Sequence, residues 1–292
     1  MGFMAIRRAA KGLAMACVVA SLAACGTDRA VRSDEIGATF VSLNPCLDAI
    51  LVEVADPDQI LALSHYSRDP AASSMDVATA RQYGVTGGTA EEVIALQPDI
   101  VLASTFIAPA TKAALERSGL RVETFDSPRT ASESALQVSR LGDLTGNEVI
   151  ADNLARAITT PLWPPQNPPE PGPMWQPEPD PSVVLWQAGQ IVAGNETLIA
   201  DLLREEGFVS HSAALGMGQA DHLGLEQILA DPPDVLLVAG DSAGQRHPAL
   251  LRLKDTWVRE FDPALFYCGG PSILKAREEL HGLRLSVAGQ RG

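Results

Sequence analysis

TAEEVIALQPDIVLA (residues 89–103) and GLEQILADPPDVLLV (residues 224–238) are two copies of one phrase. Aligned on Pro98-Asp99 and Pro233-Asp234, Glu91 falls on Glu226, Val93 on Ile228, Ile94 on Leu229 and Ala95 on Ala230. Each copy reads as a short helix stopped by proline, whose ring cannot continue the helical hydrogen-bond ladder. An apolar run of buried-strand length follows in each. Two such units, about 135 residues apart, predict two similar α/β lobes, each with its own sheet.

A hydrophobic content of 46% suits a packed core, and 292 residues suffice for one large domain or two of ordinary size. Residues 1–24 are expected to stay outside that core. Arg7, Arg8 and Lys11 form a basic stretch, and LAMACVVASLAA (13–24) is an apolar run too short to span a bilayer comfortably. It ends in Leu22-Ala23-Ala24-Cys25-Gly26, which resembles the lipobox of bacterial lipoproteins. That resemblance implies cleavage before Cys25 and a diacylated cysteine as the new N-terminus; an ordinary signal peptide with an incidental cysteine is the alternative. Losing residues 1–24, with three basic and no acidic side chains, moves the net charge from −14 to −17. So acidic a surface argues against nucleic acid and against polybasic adhesion to a membrane. Acyl chains would then supply the membrane anchor. Cys46 and Cys268 would remain in an oxidising compartment. They read either as a disulfide between distant parts of the chain or as two separately buried small residues. The second is preferred, because sequence alone shows no proximity.

Residues 25–37 read as a polar tether. A first lobe is expected over 38–130, with strands at 38–43, 60–63, 100–103 and 121–125. Polar residues at strand ends, SHYSRDP (64–70) above all, sit where open α/β sheets bind ligands. Residues 131–160 are helical in pattern, with Gly142 and Gly146 set to kink or interrupt them, and form the bridge between lobes. Residues 161–181 hold ten of the 21 prolines, a density that forbids helix and sheet and favours an extended connector. A second lobe is expected over 182–292.

The motifs of catalysis are missing. There is no GxGxxG after a strand, no GxxxxGK[ST], no GxSxG, no CxxC spacing and no HExxH. His65, His211, His222, His247 and His281 are scattered without ligand spacing. A bare zinc or manganese site would need His65, His211, His222 and Asp221 to converge from distant places. The expectation is a protein that performs no covalent chemistry, with no resident metal or cofactor.

Taken together, VSLNP (41–45), ALSHYSRDP (62–70), Glu91 with ALQPD (95–99), LGDLTG (141–146), AGN (193–195), LEQIL (225–229) and Trp257 followed by Gly270-Pro271 carry a resemblance. In that order and spacing, over residues 38–290, the chain resembles the substrate-binding lipoproteins of ABC importers for iron complexes and vitamin B12. The resemblance implies two Rossmann-like lobes with mostly parallel sheets joined by a long bridging helix, acting as a monomer in the periplasm or cell envelope. Its partners would be an ABC permease and a ferric siderophore or corrinoid. The ligand would lie between the lobes, touched by Asn44, His65, Tyr66, Arg68 and Ser104 from the first, and by Trp186, Gln187, Asp241 and Tyr267 from the second. Arg68 would pair with ligand oxygens and Trp186 would pack on a planar group. The bland readings are a surface loop for Arg68 and core packing for Trp186. In that family an acid on each lobe meets arginines of the permease, which implies Glu91 and Glu226. A glutamate in a first helical turn is also favoured by the helix dipole alone. Vitamin B12 binders of the family tend to line the cleft with aromatics. With 5% aromatic residues, and with Val85 and Ser104 near the first phrase, this chain is expected to prefer a ferric siderophore.

Overall fold

The first sheet has five strands: β1 (Phe40–Ser42), β2 (Ile60–Ser64), β3 (Val85–Thr86), β4 (Ile100–Ser104) and β5 (Arg121–Phe125). They lie in the order β3-β2-β1-β4-β5 and every pair is parallel. Helices α1 (Pro45–Val54), α2 (Val77–Ala80), α3 (Ala90–Leu96) and α4 (Pro109–Arg117) make the crossovers. Two helices follow, α5 (Ala131–Thr145) and α6 (Glu148–Ile158). The second sheet contains β6 (Ser182–Gln187), β7 (Ile191–Ala193), β8 (Val209–Ser210), β9 (Ala220–His222), β10 (Val235–Ala239) and β11 (Trp257–Glu260). Its order is β11-β10-β6-β7-β9, with β8 paired to the start of β6. Only β7 runs antiparallel to its neighbours. Helices α7 (Leu198–Glu205), α8 (His211–Ala214), α9 (Leu225–Ala230) and the terminal α10 (Ser272–Arg291) complete it. The structure is a computed structural model and describes residues 37–163, 179–218, 220–240 and 242–291. The leader, Cys25, most of the tether, the middle of the proline-rich stretch and Asp241 lie outside the described residues.

Strand alternation decides which side chains meet which layer, because successive residues point to opposite faces. On β1 and β4, Phe40, Ile100 and Leu102 face inward, and Val41 and Val101 face outward. On β6 and β10, Val183, Leu185, Val235 and Leu237 face inward, while Val184, Trp186, Leu236 and Val238 face outward. The two inner faces share one continuous apolar core with α1, α5 and α7. The outer faces are covered by the helices of the repeated phrase, Val93 of α3 in one lobe and Ile228 of α9 in the other.

The repeat also explains its own Pro-Asp. Asp99 Oδ2 accepts from the Thr39 amide at 2.9 Å and the Thr39 hydroxyl at 2.7 Å, and the Asp99 amide donates to Thr39 Oγ1 at 3.2 Å. Asp234 Oδ2 accepts from the Ser182 amide at 2.7 Å and hydroxyl at 2.8 Å, with the return bond at 2.9 Å. In both lobes, therefore, the aspartate that opens the repeat strand is clasped to the hydroxyl residue at the start of the lobe's central strand.

The bridge between the lobes is helical but broken. Gly146 closes α5 at φ +77°, a left-handed conformation that glycine adopts without strain, and α6 turns back along α5. At Gly142 a Cβ would stand 2.3 Å from the Ala151 Cβ, so only glycine permits that helix crossing. The bridge is tied to the second lobe by the Ala131 amide to Asp201 Oδ2 at 2.9 Å and by the Gly270 amide to Ser134 Oγ at 2.7 Å. Cys46 and Cys268 form a disulfide, which overturns the preferred reading of two separate buried residues. Their 222-residue separation hid a contact that only the fold creates.

Candidate functional site

The order β3-β2-β1-β4-β5 reverses direction between β1 and β4. At such a switch point neighbouring crossovers leave on opposite faces and a crevice opens beyond the strand ends. Asn44 follows β1, the 3₁₀ turn His65–Arg68 follows β2, and Ser104 ends β4, so adjacent strands bring these expected residues to one edge.

Each has a local task. Asn44 caps α1, its Oδ1 accepting the Cys46 amide at 2.8 Å. The His65 ring lies 4.1 Å from that of Tyr66, tilted by 35°, with Nδ1 3.3 Å from the Thr86 carbonyl. Tyr66 is 51% exposed. Arg68 is also exposed, but Nη2 donates to the Tyr83 carbonyl at 2.6 Å, so part of its guanidinium is committed within the protein. Ser104 Oγ accepts the Phe106 amide at 2.9 Å and shapes a turn that leaves the Phe106 ring 83% exposed. The sequence reading missed Phe106; its signal was an aromatic directly after the repeat strand.

Tyr267 belongs to the second half of the chain but is carried to this edge. Its carbonyl lies 3.6 Å from Cys46 Sγ, and the adjacent Cys268 is bonded to Cys46. The Tyr267 ring is 42% exposed and meets Phe266 edge-on at 5.5 Å. The disulfide thus ties the start of α1, just beyond β1, to the segment that follows β11.

From the second lobe, Gln187 ends β6, half-buried, and leads into the turn Ala188–Gln190. Trp186 must be corrected. It is fully buried on the outer face of β6, with Nε1 donating to the Leu223 carbonyl at 3.0 Å, and so packs the core. Alternation with Gln187 puts it on the wrong face. Gln245, which the sequence reading did not single out, spans the ends of two strands: Nε2 donates to the carbonyls of Trp186 at 2.9 Å and Ala239 at 3.0 Å, and Oε1 accepts the Ser242 amide at 2.8 Å. It ties the ends of β6 and β10 to the Ser242 amide.

Beneath the His65–Arg68 turn lies Asp48, fully buried in the first turn of α1. Burial pushes its carboxyl up to about 7, against the pull of the Ser64 and Ser67 bonds and of the nearby Ser42 hydroxyl, which itself donates to the Asn44 carbonyl. Elsewhere the histidines stay apart. His211 approaches Asp231 at 3.4 Å, and Asp221 and His222 are exposed on β9. Among the described residues no group of three or more His, Cys, Asp or Glu could hold a metal ion. Glu91 and Glu226 are exposed in the first turns of α3 and α9.

The family model for periplasmic binding proteins matches residues 40–258. No curated protein matches the chain. Among solved structures, the periplasmic heme-binding protein HutB of Vibrio cholerae is similar with a TM-score of 0.67 at 17% identity, covering 84% of this chain and 98% of that one. The periplasmic vitamin B12-binding protein BtuF of Vibrio cholerae gives 0.59 at 16% identity, covering 86% and 98%. A periplasmic heme-binding protein from Pseudomonas aeruginosa gives 0.58 at 20% identity, covering 84% and 92%. At such identities the likeness is one of fold.

Proposed function

We propose that this chain, which belongs to the periplasmic binding protein family, captures a metal chelate with aromatic surface between its two lobes and delivers it to an ABC permease. Lipid on Cys25 would keep it at the membrane. The observation that carries this reading is the set of exposed rings at the switch point: Tyr66 with the tilted ring of His65, Phe106, and Tyr267 brought over by the disulfide. Exposed aromatic faces around a crevice gain most by covering a flat, conjugated partner.

The low aromatic content therefore argues less for a ferric siderophore over a corrinoid than it first suggests, since two of the chain's three tyrosines stand at this one edge. A ferric catecholate siderophore, heme and a corrinoid all present the required chemistry. The names of the solved relatives support the last two as candidates. Glu91 and Glu226 would meet the permease, where paired charges at two separated points steer docking and fix orientation.

The test is a titration of the chain lacking its leader with hemin, a ferric tris-catecholate, a ferric hydroxamate and cyanocobalamin, followed by tryptophan fluorescence and by the absorbance of each chelate. Saturable one-to-one binding of an aromatic chelate is expected, weakened about tenfold in Tyr66→Ala and in Tyr267→Ala. Silence towards all four probes would sink the reading. Selective binding of the hydroxamate would remove the aromatic rim as its basis.

A further inference from the structure

Among the described residues, Asp48 is the one fully buried acid of the first lobe. Its Oδ2 accepts the Ser64 amide at 2.8 Å and the Ser67 hydroxyl at 2.6 Å. Ser64 in turn opens the 3₁₀ turn by accepting the Tyr66 amide at 3.4 Å. One carboxyl thus holds both ends of the turn that presents His65, Tyr66 and Arg68. The groups acting on it are Ser42 of β1 and Ser64 and Ser67 of the turn, all neutral. The ionisable members of the turn, His65, Tyr66 and Arg68, are exposed, with His65 and Arg68 directed to the Thr86 and Tyr83 carbonyls. The second carboxyl oxygen, Oδ1, is buried with no hydrogen-bond partner.

A buried acid with an orphaned oxygen is an expensive way to fasten a loop, since leaving a polar atom unpaired costs more than a typical bond returns. We propose that Asp48 is a positioning residue for ligand capture: its bonds to Ser64 and Ser67 set the attitude of the His65–Arg68 turn, and the turn opens more readily when Asp48 is ionised. The proposal rests on the ligand reading of that turn given above.

The sign follows from what opening does to the carboxyl. In the closed turn burial raises it to about 7; on opening it regains water and its ordinary value of 3.8. Between those values the open form has released a proton that the closed form keeps, so rising pH favours opening by about tenfold per pH unit. Below the lower value and above the upper one the opening equilibrium is level.

Hydrogen exchange of the peptide spanning residues 60–70, corrected for intrinsic rates and recorded without ligand from pH 4.5 to 8.5, reads this directly. The wild-type chain should lose protection there up to about pH 7 and then level off. Asp48→Asn keeps an acceptor but cannot ionise, so its profile should be flat. Ser67→Ala, which leaves the acid in place, should exchange faster at every pH and retain the slope. A flat wild-type profile, or a slope that persists in Asp48→Asn, overturns the proposal. Titration of the same variants with hemin, the tris-catecholate and cyanocobalamin separates the two claims. A turn that responds to pH while every measured affinity stays constant removes the ligand from this turn and leaves the molecular latch without a function in capture, which also overturns it.

Discussion

In the first lobe the repeat strand β4 ends in a turn that leaves Phe106 83% exposed; in the second, the matching strand β10 ends in a turn that Gln245 stitches shut across two strand ends. Up to that point the lobes are alike. Each has the aspartate clasp, Thr39–Asp99 or Ser182–Asp234, and each covers its outer sheet face with the helix of the repeat. Beyond the strand ends they diverge. The first lobe leaves Tyr66 and Phe106 exposed beyond its strands, whereas Trp186, next to last in β6, is buried in the second lobe's own core. The repeat therefore specifies the scaffold, and the connections after it, free of scaffold duty, specify use.

The lobes differ as well in how they are fastened on the outside. Arg277 of α10, only 1% exposed, donates from Nη1 to Glu206 at 2.8 Å, from Nη2 to Glu205 at 2.6 Å and from Nε to the Ile158 carbonyl at 3.1 Å. Among the described residues, the first lobe has no equivalent buried pair. Arg277→Ala strips Glu206, itself fully buried, of its guanidinium and leaves its Oε1 only the Leu162 amide at 3.1 Å, and breaking such a pair costs about 3–5 kcal/mol. Denaturant unfolding should show a loss of that size, with hydrogen exchange rising in residues 198–206 and 272–291 before it rises in residues 38–104. A loss below about 1 kcal/mol would mean that the second lobe is not fastened by this pair.

The clasp itself should behave as one device used twice. Asp99→Ala and Asp234→Ala each remove an acceptor that takes two bonds, a loss of about 1–3 kcal/mol. Asp234 stands in the more buried site and should cost more. The two positions belong to different sheets, so the double variant should lose the sum within about 0.5 kcal/mol. Strong non-additivity in urea unfolding would mean that the lobes fold as one coupled unit and not as two copies of a scaffold.

How much of this could be read from the chain depends on where the information sits. Pro98-Asp99 and Pro233-Asp234 carry the helix stop and the strand start within a few consecutive residues, so the two lobes were legible; the clasp joins residues 60 and 52 positions apart and was not. Trp186 was not, because the segment SVVLW is apolar on both faces and alternation cannot assign sides in a strand covered twice. Asp48 read as an acid favoured by a helix dipole; that its carboxyl fastens a turn 16 to 19 residues away needs the β1–β2 crossover. The Cys46–Cys268 bond and the arrival of Tyr267 at the first lobe's edge are properties of the closed chain, with no local signal at either end.

The smallest effect on stability is expected where the lobes are most alike on the surface. In α3 the residue after Glu91 takes on the capping work: Glu92 Oε2 accepts the Thr86 hydroxyl at 2.9 Å and the Gly87 amide at 2.6 Å. In α9, Gln227 does the same for the Gly224 amide at 2.9 Å. Glu91 and Glu226 are left exposed, with no hydrogen bond or ion pair among the described residues. If the helix dipole were their whole reason for being there, Glu91→Ala and Glu226→Ala would lower stability slightly and change nothing else. If they are docking charges, each should shift stability by no more than about 0.5 kcal/mol. Ligand affinity should stay at its wild-type level, and uptake through the permease should fall severalfold with either change and further with both. Raising the salt concentration should reduce wild-type docking towards that of the variants, since exposed charges are screened within about 10 Å at 0.1 M. Undiminished uptake by the double variant would strip both glutamates of that role, and the likeness of the two helix starts would then be scaffold like the rest of the repeat.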